Sequence, residues 1–341
     1  MAGLAIKVPI SEREPVGFQP YMVGEYLVQR PLTNNRSGFS KWGFCEKDGT
    51  EYFLKEFLSP VYPADEVKLD VDIRKRKIDQ CLTWHRQKRK IYDAIVASQT
   101  GNLVVPLAFF KHQSHFYLVT KKVSDAPLDF TTLSKLDQEH KILIMKVLSY
   151  SFSKLAENDI VHADVKPDNL LIKQTNAGYY TIKVIDFDGS YLASCPPSCD
   201  DLQGDPVYYA PETFLAILEE PTTLTPKVDV FAMGIIFHEL LCGFKPGVPA
   251  DYDYIYEAVL DEHPLRLAPS IDAAFQELLK KMLCKDPEKR FSMLQVFRFL
   301  RNLEGKVKKE KAIASATTKP MPIAFADTKN QGRWQIADGF D

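Results

Sequence analysis

The chain has 341 residues, 45% of them apolar, and a formal net charge of −2. That is enough apolar matter for one large domain or two smaller ones, and the near balance of charge excludes bulk attraction to nucleic acid or acidic lipid. No apolar run reaches the roughly 20 residues that span a bilayer; the longest, Val228 to Phe244, is broken by Asp229, His238 and Glu239 and reads as a buried helix.

Residues 1–21 carry Pro9, Pro15 and Pro20 without periodicity and read as a loosely held leader, with no secretory signal. A strand begins at Tyr26. A polar turn, Thr33 to Gly38, separates it from a second strand, and Lys47-Asp48-Gly49-Thr50 is a hairpin turn, because Asp-Gly accepts positive φ. The next strand, Glu51 to Phe57, contains Lys55 among aromatic residues, where an unpaired charge is costly. Residues 65–98 read as one long helix or two, with Trp84, Gln87, Ile91, Ala94 and Ile95 on an inward stripe. The cations from Arg74 to Lys77, with Arg86, Lys88, Arg89 and Lys90, read as its solvated face. Two strands follow, Leu103 to Phe110 and Phe116 to Thr120. A helical region opens at Ser124, and Lys141 to Asn158 is amphipathic.

Residues 160–172 read Ile-Val-His-Ala-Asp-Val-Lys-Pro-Asp-Asn-Leu-Leu-Ile, a polar loop held between apolar pieces. A second carboxylate, Asp186, ends the next apolar run. The spacing suits phosphoryl transfer, which needs a carboxylate near the attacking hydroxyl, cations to spread charge and hard oxygen ligands for Mg²⁺. Asp164 is the candidate base, Lys166 the cation at the moving phosphoryl, and Asn169 and Asp186 the metal ligands. Cys195 and Cys199 flank Pro-Pro-Ser without a further Cys or His cluster and read as loop thiols. The six scattered cysteines form no disulfide framework and fit a reducing cytoplasm. Downstream come Gly204 to Glu212, ending Ala-Pro-Glu, then Asp229-Val-Phe-Ala-Met-Gly234, then Asp286-Pro-Glu-Lys-Arg290. A last helix spans Phe291 to Leu303, and residues 306–341 have little core-forming pattern and read as a flexible tail.

Taken in this order, His162-Ala-Asp164 through Asn169, Asp186-Phe-Asp188, Ala210-Pro-Glu212, Asp229 to Gly234 and Asp286 to Arg290 resemble the protein kinase family over residues 22 to 304. The resemblance implies an α+β, bilobal fold: a small β-rich lobe over 22–123 and a larger, mostly helical lobe over 124–305. ATP with Mg²⁺ would bind between them. It puts Lys55 on the α- and β-phosphates, Ser37 and Gly38 in the phosphate-covering loop, Thr120 at the rear of the pocket, Lys121 to Val123 at the hinge and Leu171 in the nucleotide site. Asp229 would brace the catalytic loop, and Arg290 would pair with Glu212. Lys166-Pro167 resembles the serine/threonine type, so the implied partner is a protein with a Ser or Thr hydroxyl.

The chain also departs from the family pattern. The phosphate loop is reduced to Gly38 among small polar residues, and Phe53 stands where alanine is usual, narrowing the pocket or tilting the base. No glutamate lies between Glu66 and Glu139, so either Gln87 or Asp79 takes the place of the helix partner of Lys55. Ala163 replaces an arginine that receives an activation-loop phosphate, which implies activity without that modification. Asp188 replaces a glycine, which implies a more fixed metal loop. Two rivals follow. Small-molecule phosphotransferases of the aminoglycoside type share the 162–169 and 186–188 patterns, but the three downstream motifs oppose them. A pseudokinase acting as a scaffold fits the eroded loop and missing glutamate, but has no chemical need for Lys55, Asp164, Lys166, Asn169 and Asp186 together.

Overall fold

In the computed structural model, residues 18–35, 40–65, 67–123, 126–127, 129–175 and 180–317 are described, with side chains to 309. Strand β1 (Tyr21–Val23) turns back on β2 (Tyr26–Val28), so the sheet starts inside the stretch expected as leader. β3 (Ser40–Lys47) pairs with β4 (Thr50–Phe57) in the register Lys47↔Thr50. Asp48 (φ 52°) and Gly49 (φ 72°) both take the left-handed conformation that a two-residue hairpin of this twist requires. A second hairpin, β5 (Pro106–His112) and β6 (His115–Lys121), completes an antiparallel sheet of order β1-β2-β3-β4-β6-β5. The strand expected from Leu103 begins only at Pro106. Leu103 instead makes an isolated parallel bridge to Val184 of the other lobe.

Helix α1 (Val71–Ala97) is one helix of 27 residues, without glycine or proline. Asp70 caps it, its carboxylate accepting the amides of Asp72 (2.9 Å) and Ile73 (3.3 Å). α1 lies on the sheet through aromatic contacts: Trp84 sits 5.2 Å from Phe57 and 5.1 Å from Phe116 between ring centroids.

The larger lobe opens with β7 (Ala126–Pro127) and the short α2 (Phe130–Leu133), then α3 (Gln138–Glu157) and β8 (Ile160–Val161). The hairpin of β9 (Leu170–Gln174) and β10 (Tyr180–Val184) pairs with β7, and β11 (Tyr191–Leu192) pairs with β8. Helices α4 (Pro211–Ile217), α5 (Lys227–Cys242), α6 (Ile255–Leu260), α7 (Ala273–Met282) and α8 (Met293–Thr317) follow. α5 is apolar nearly all round and buried from Val228 to Leu240, the mark of a helix at the centre of a bundle. It ends at Gly243, whose φ of 92° suits a left-handed cap.

Two readings need correction at the end of the chain. The last helix runs past Leu303 to Thr317, so residues 306–317 are helical rather than tail. The reason is local. This stretch is rich in Lys, Glu and Ala, good helix formers. Val307 packs on the core and Glu304 bonds Lys308 at 3.0 Å and Lys146 of α3 at 2.5 Å. The rest of the expected tail, 318–341, and residues 1–17 lie outside the described residues. The overall architecture is the α+β, two-lobed arrangement expected.

Candidate active site

β8 delivers the chain to a loop that would not hold its shape alone. Ala163 has φ 67°, a left-handed conformation that costs a residue with a Cβ about 1–3 kcal/mol. The carboxylate of Asp229, buried in the first turn of α5, holds it, accepting the amides of His162 (2.8 Å) and Ala163 (3.0 Å). Burial raises the pKa of Asp229, against the pull of those amides and His162. The brace expected from the sequence is therefore present. His162 is fully buried. Its Nδ1 lies 3.4 Å from the amide of Asp164 and its Nε2 lies 3.1 Å from the carbonyl of Ile185, which selects the tautomer protonated at Nε2.

This turn presents the carboxylate of Asp164, which two neighbours fix. Lys166 Nζ reaches its oxygens at 3.0 and 2.7 Å, and Asn169 Nδ2 donates to its Oδ2 at 2.9 Å and to its carbonyl at 2.8 Å. Asn169 also ties the loop to the residue that follows β10, its carbonyl accepting the amide of Ile185 at 3.0 Å. One residue on, Asp186 has φ 61°, so like Ala163 it takes the left-handed conformation without being glycine. Phe187 turns inward onto His162, 4.9 Å away between centroids. Asp186 and Asp188 then point the other way, at Lys55. Their oxygens lie 2.9 and 2.7 Å from its Nζ.

The charges at this point are tightly balanced. Burial acts to lower the pKa of Lys55, but Asp188 and Asp186 outweigh it and raise it. Burial acts to raise that of Asp186, and the ammonium of Lys55 overcomes it. For Asp188 burial wins, helped by the like charge of Asp186, and its pKa is raised. A second cation closes the cluster: Lys88 Nζ donates to the backbone carbonyl of Asp188. Burial lowers the pKa of Lys88.

Above Asp186 a cavity of about 230 Å³ opens between the sheet and the larger lobe. Lys55, Thr120, Lys121, Val123, Leu171 and Asp186 all line it. Phe53 forms part of its wall with its cross-strand neighbour Phe44, and it stacks on Trp42 at 5.8 Å. The ring expected to narrow the pocket thus belongs to an aromatic sheet face.

Gln87 is not gathered into this site. It is exposed on α1, and so is Asp79. The inward face is Cys81, Trp84, Lys88, Tyr92 and Ile95, and one residue along a helix turns the side chain by roughly 100°. The expected stripe was one residue out of phase at Gln87, and Lys88, read as a solvated cation, is the residue that faces Lys55's partners. Lys75, Arg76, Lys77, Arg86, Arg89 and Lys90 are exposed as expected, whereas Arg74 is partly buried and donates to the carbonyls of Ala64 (3.0 Å) and Val67 (2.6 Å). Sequence reasoning also passed over Tyr92, which lines the cavity. The signal was there: a lysine at the helical spacing of Cys81, Trp84 and Ile95. Ser37 and Gly38 lie outside the described residues.

The segment after Asp188 returns to the larger lobe through Gly204, which packs so closely on the loop that a Cβ there would lie 2.8 Å from the carbonyl of Ala163. It is anchored by Glu212 in α4, whose two oxygens take a bidentate pair of bonds from Arg290 at 2.6 and 3.0 Å. Cys195 is exposed and Cys199 bonds Glu219 at 3.4 Å. Among the described residues no three His, Cys, Asp or Glu side chains gather as a metal cluster.

Residues 73–299 match the protein kinase domain family. A probable myosin light chain kinase of Dictyostelium discoideum is 29% identical over 200 residues, 57% of this chain and 63% of that protein. The serine/threonine-protein kinase ssp1 of Schizosaccharomyces pombe is 32% identical over 145 residues, 40% of this chain and 22% of that protein. The serine/threonine-protein kinase DCLK1 of Rattus norvegicus is 30% identical over 208 residues, 57% of this chain and 45% of that protein. The chain thus spans under two thirds of the length of each of these relatives.

Proposed function

Because this chain belongs to the protein kinase family, we propose that it transfers the γ-phosphoryl group of ATP to a serine or threonine hydroxyl of a protein substrate. The observation that carries this reading is the convergence of three separate stretches of chain: β4 with Lys55, the loop with Asp164, Lys166 and Asn169, and Asp186, which pairs with Lys55 and follows the Ile185 amide held by the Asn169 carbonyl. Asp164 accepts the proton of the attacking hydroxyl. Lys166, 2.7 Å from that carboxylate, carries its charge toward the moving phosphoryl. Lys55 binds phosphate oxygens of the nucleotide, and the apolar wall at Leu171 suits the flat base. Thr120 backs the pocket and Lys121 to Val123 offer main-chain groups to the base edge.

The donor set fits Mg²⁺. Asp186 and the amide oxygen of Asn169 are hard ligands, and this ion keeps waters and takes phosphate oxygens rather than needing an all-protein cage. When bound, Mg²⁺ would neutralise charge on the phosphates. The serine/threonine assignment rests on Lys166-Pro167 and on relatives so named. Free, scattered thiols suit a reducing cytoplasm, and among the described residues no helix is long and apolar enough to cross a membrane.

Phosphate incorporation from labelled Mg-ATP, into the protein itself and into a generic basic protein, tests the reading. Incorporation on Ser or Thr in the wild type, lost in Asp164→Asn, is the expected result. Intact nucleotide binding without incorporation would overturn it in favour of a scaffold or a small-molecule phosphotransferase, which a screen of hydroxyl compounds separates.

A further inference from the structure

We propose that Asp188 is the positioning residue for Lys55, and that Lys88 on α1 holds Asp188, so that the ion pair fixing Lys55 runs across the cleft with inverted polarity. The inference rests on the kinase reading of the site and deepens it. An acidic residue on the long helix is the expected partner of the strand lysine. Here α1 supplies a cation at the inward position, and the acid has moved to the loop after Asp186.

The geometry carries this. Lys55 Nζ is 2.7 Å from Asp188 and 2.9 Å from Asp186. The side chain of Asp186 is 38% exposed toward the cleft, whereas that of Asp188 is 21% exposed. Asp186 is thus the carboxylate available to other ligands, and Asp188 the one committed to Lys55. Lys88 donates to the Asp188 carbonyl. Among the described residues the second carboxylate oxygen of Asp188 is buried with no hydrogen-bond partner, and the cations that meet the charge of that group are Lys55 and Lys88. Two cations and two carboxylates balance at the mostly buried wall of the cleft.

Each change alone unbalances the set. Glycine at 188 leaves Lys55 and Lys88 facing each other over one carboxylate. Glutamate at 88 sets a third carboxylate against Asp186 and Asp188. The two changes together return one cation from β4, one acid from α1 and Asp186, which is again a paired set. Compensation is therefore built into the proposal. A further consequence is that Lys55 is placed without any displacement of α1.

The test is a cycle of four full-length proteins: wild type, Asp188→Gly, Lys88→Glu and Asp188→Gly/Lys88→Glu. Three readings are taken: the thermal midpoint without nucleotide, Mg-ATP affinity by calorimetry, and kcat and KM for phosphate transfer. Each single change is expected to weaken Mg-ATP binding by about tenfold or more and to lower kcat, and the double variant to recover to within about threefold of wild type, a coupling typical of contacting charges. The midpoint is expected to fall by about 4 °C or more in each single variant and to recover in the double. Asp188→Asn keeps the shape without the charge; it should behave as Asp188→Gly does, and it carries the test where glycine prevents folding. A double variant as impaired as the two singles combined, or Asp188→Asn equal to wild type in affinity and kcat, would overturn the proposal. The nucleotide-free arm separates the two claims. A wild type that transfers no phosphate ends the kinase reading, while the coupling in the midpoint still decides the pairing.

Discussion

The contact between Glu212 and Arg290 offers a sharp test of how the activation segment is held. Arg290 is 0% and Glu212 3% exposed at the side chain. Besides the bidentate pair, the guanidinium donates to the carbonyls of Cys284 (3.0 and 2.9 Å), Lys227 (2.8 Å) and Lys285 (3.2 Å). Replacing Glu212 by alanine leaves a full positive charge in the core with dipoles only for company. Breaking a buried pair on one side costs about 3–5 kcal/mol, against a total stability of roughly 5–15 kcal/mol. Glu212→Ala should therefore lower the folded-to-unfolded ratio by about a thousandfold. Arg290→Met should cost about as much, because it strands the carboxylate. The double variant Glu212→Ala/Arg290→Met should cost far less than the sum, since neither charge is then left over. Urea unfolding followed by far-UV circular dichroism measures this, and a shift of the midpoint at constant slope assigns it to stability. A loss under about 1 kcal/mol in Glu212→Ala, or strict additivity in the double variant, would refute the reasoning.

Other outcomes follow from the same structure. Gly204→Ala places a methyl group 2.8 Å from the Ala163 carbonyl at φ 144°, so the loop carrying Asp164 must shift; kcat for phosphate transfer should drop by about tenfold or more, and an unchanged rate would mean the contact is slack. Phe53→Ala removes a half-buried ring from the cavity wall; it should cost about 1–3 kcal/mol of stability yet tighten Mg-ATP binding, and calorimetry showing weaker binding would make the ring a platform for the base instead. The hydrogen bond from Lys146, against slight burial and with help from Lys308, holds the Glu304 carboxyl below its ordinary value. A carboxylate so depressed contributes stability above its unfolded pKa and loses it as pH falls through the folded one. Glu304→Gln should then cost about 1 kcal/mol at pH 7 and nothing well below pH 4.3 or so; a gap that persists in acid would show that charge is not its source.

Some parts of this molecule are legible in the sequence because chemistry restricts residue type at short range. Asp48-Gly49 set the hairpin register because few pairs accept two left-handed residues. Asp229, Glu212 and Arg290 act across 67 and 78 residues of chain, and were readable through the resemblance of their motifs to the kinase family rather than through local chemistry. Lys88 was lost because it carries neither mark. It lies in a helix whose outer face is densely cationic, so its charge looked like the rest, and only the phase of Cys81, Trp84, Tyr92 and Ile95 separates it. The extension of α8 was missed because helix propensity without a continuous apolar stripe reads as tail. Leu103 looked like the start of a strand because it is apolar and leads an apolar run, yet its main-chain partner is Val184 of the other lobe rather than the sheet.

That exchange at Leu103 bears on the mechanics of the whole molecule. The amide of Val104 donates to the carbonyl of Val184 at 2.9 Å, and the amide of Val184 donates to the carbonyl of Asn102 at 2.8 Å. The hydroxyls of Thr100 and Ser151 meet beside them at 3.2 Å. Main chain from the small lobe is thus stitched to main chain from the large one behind the cleft. Rotation of one lobe against the other should therefore pivot about this line and leave the backbone on it in place. The two lobes should also share one melting event, with the Val104 and Val184 amides among the last to exchange their hydrogens with solvent.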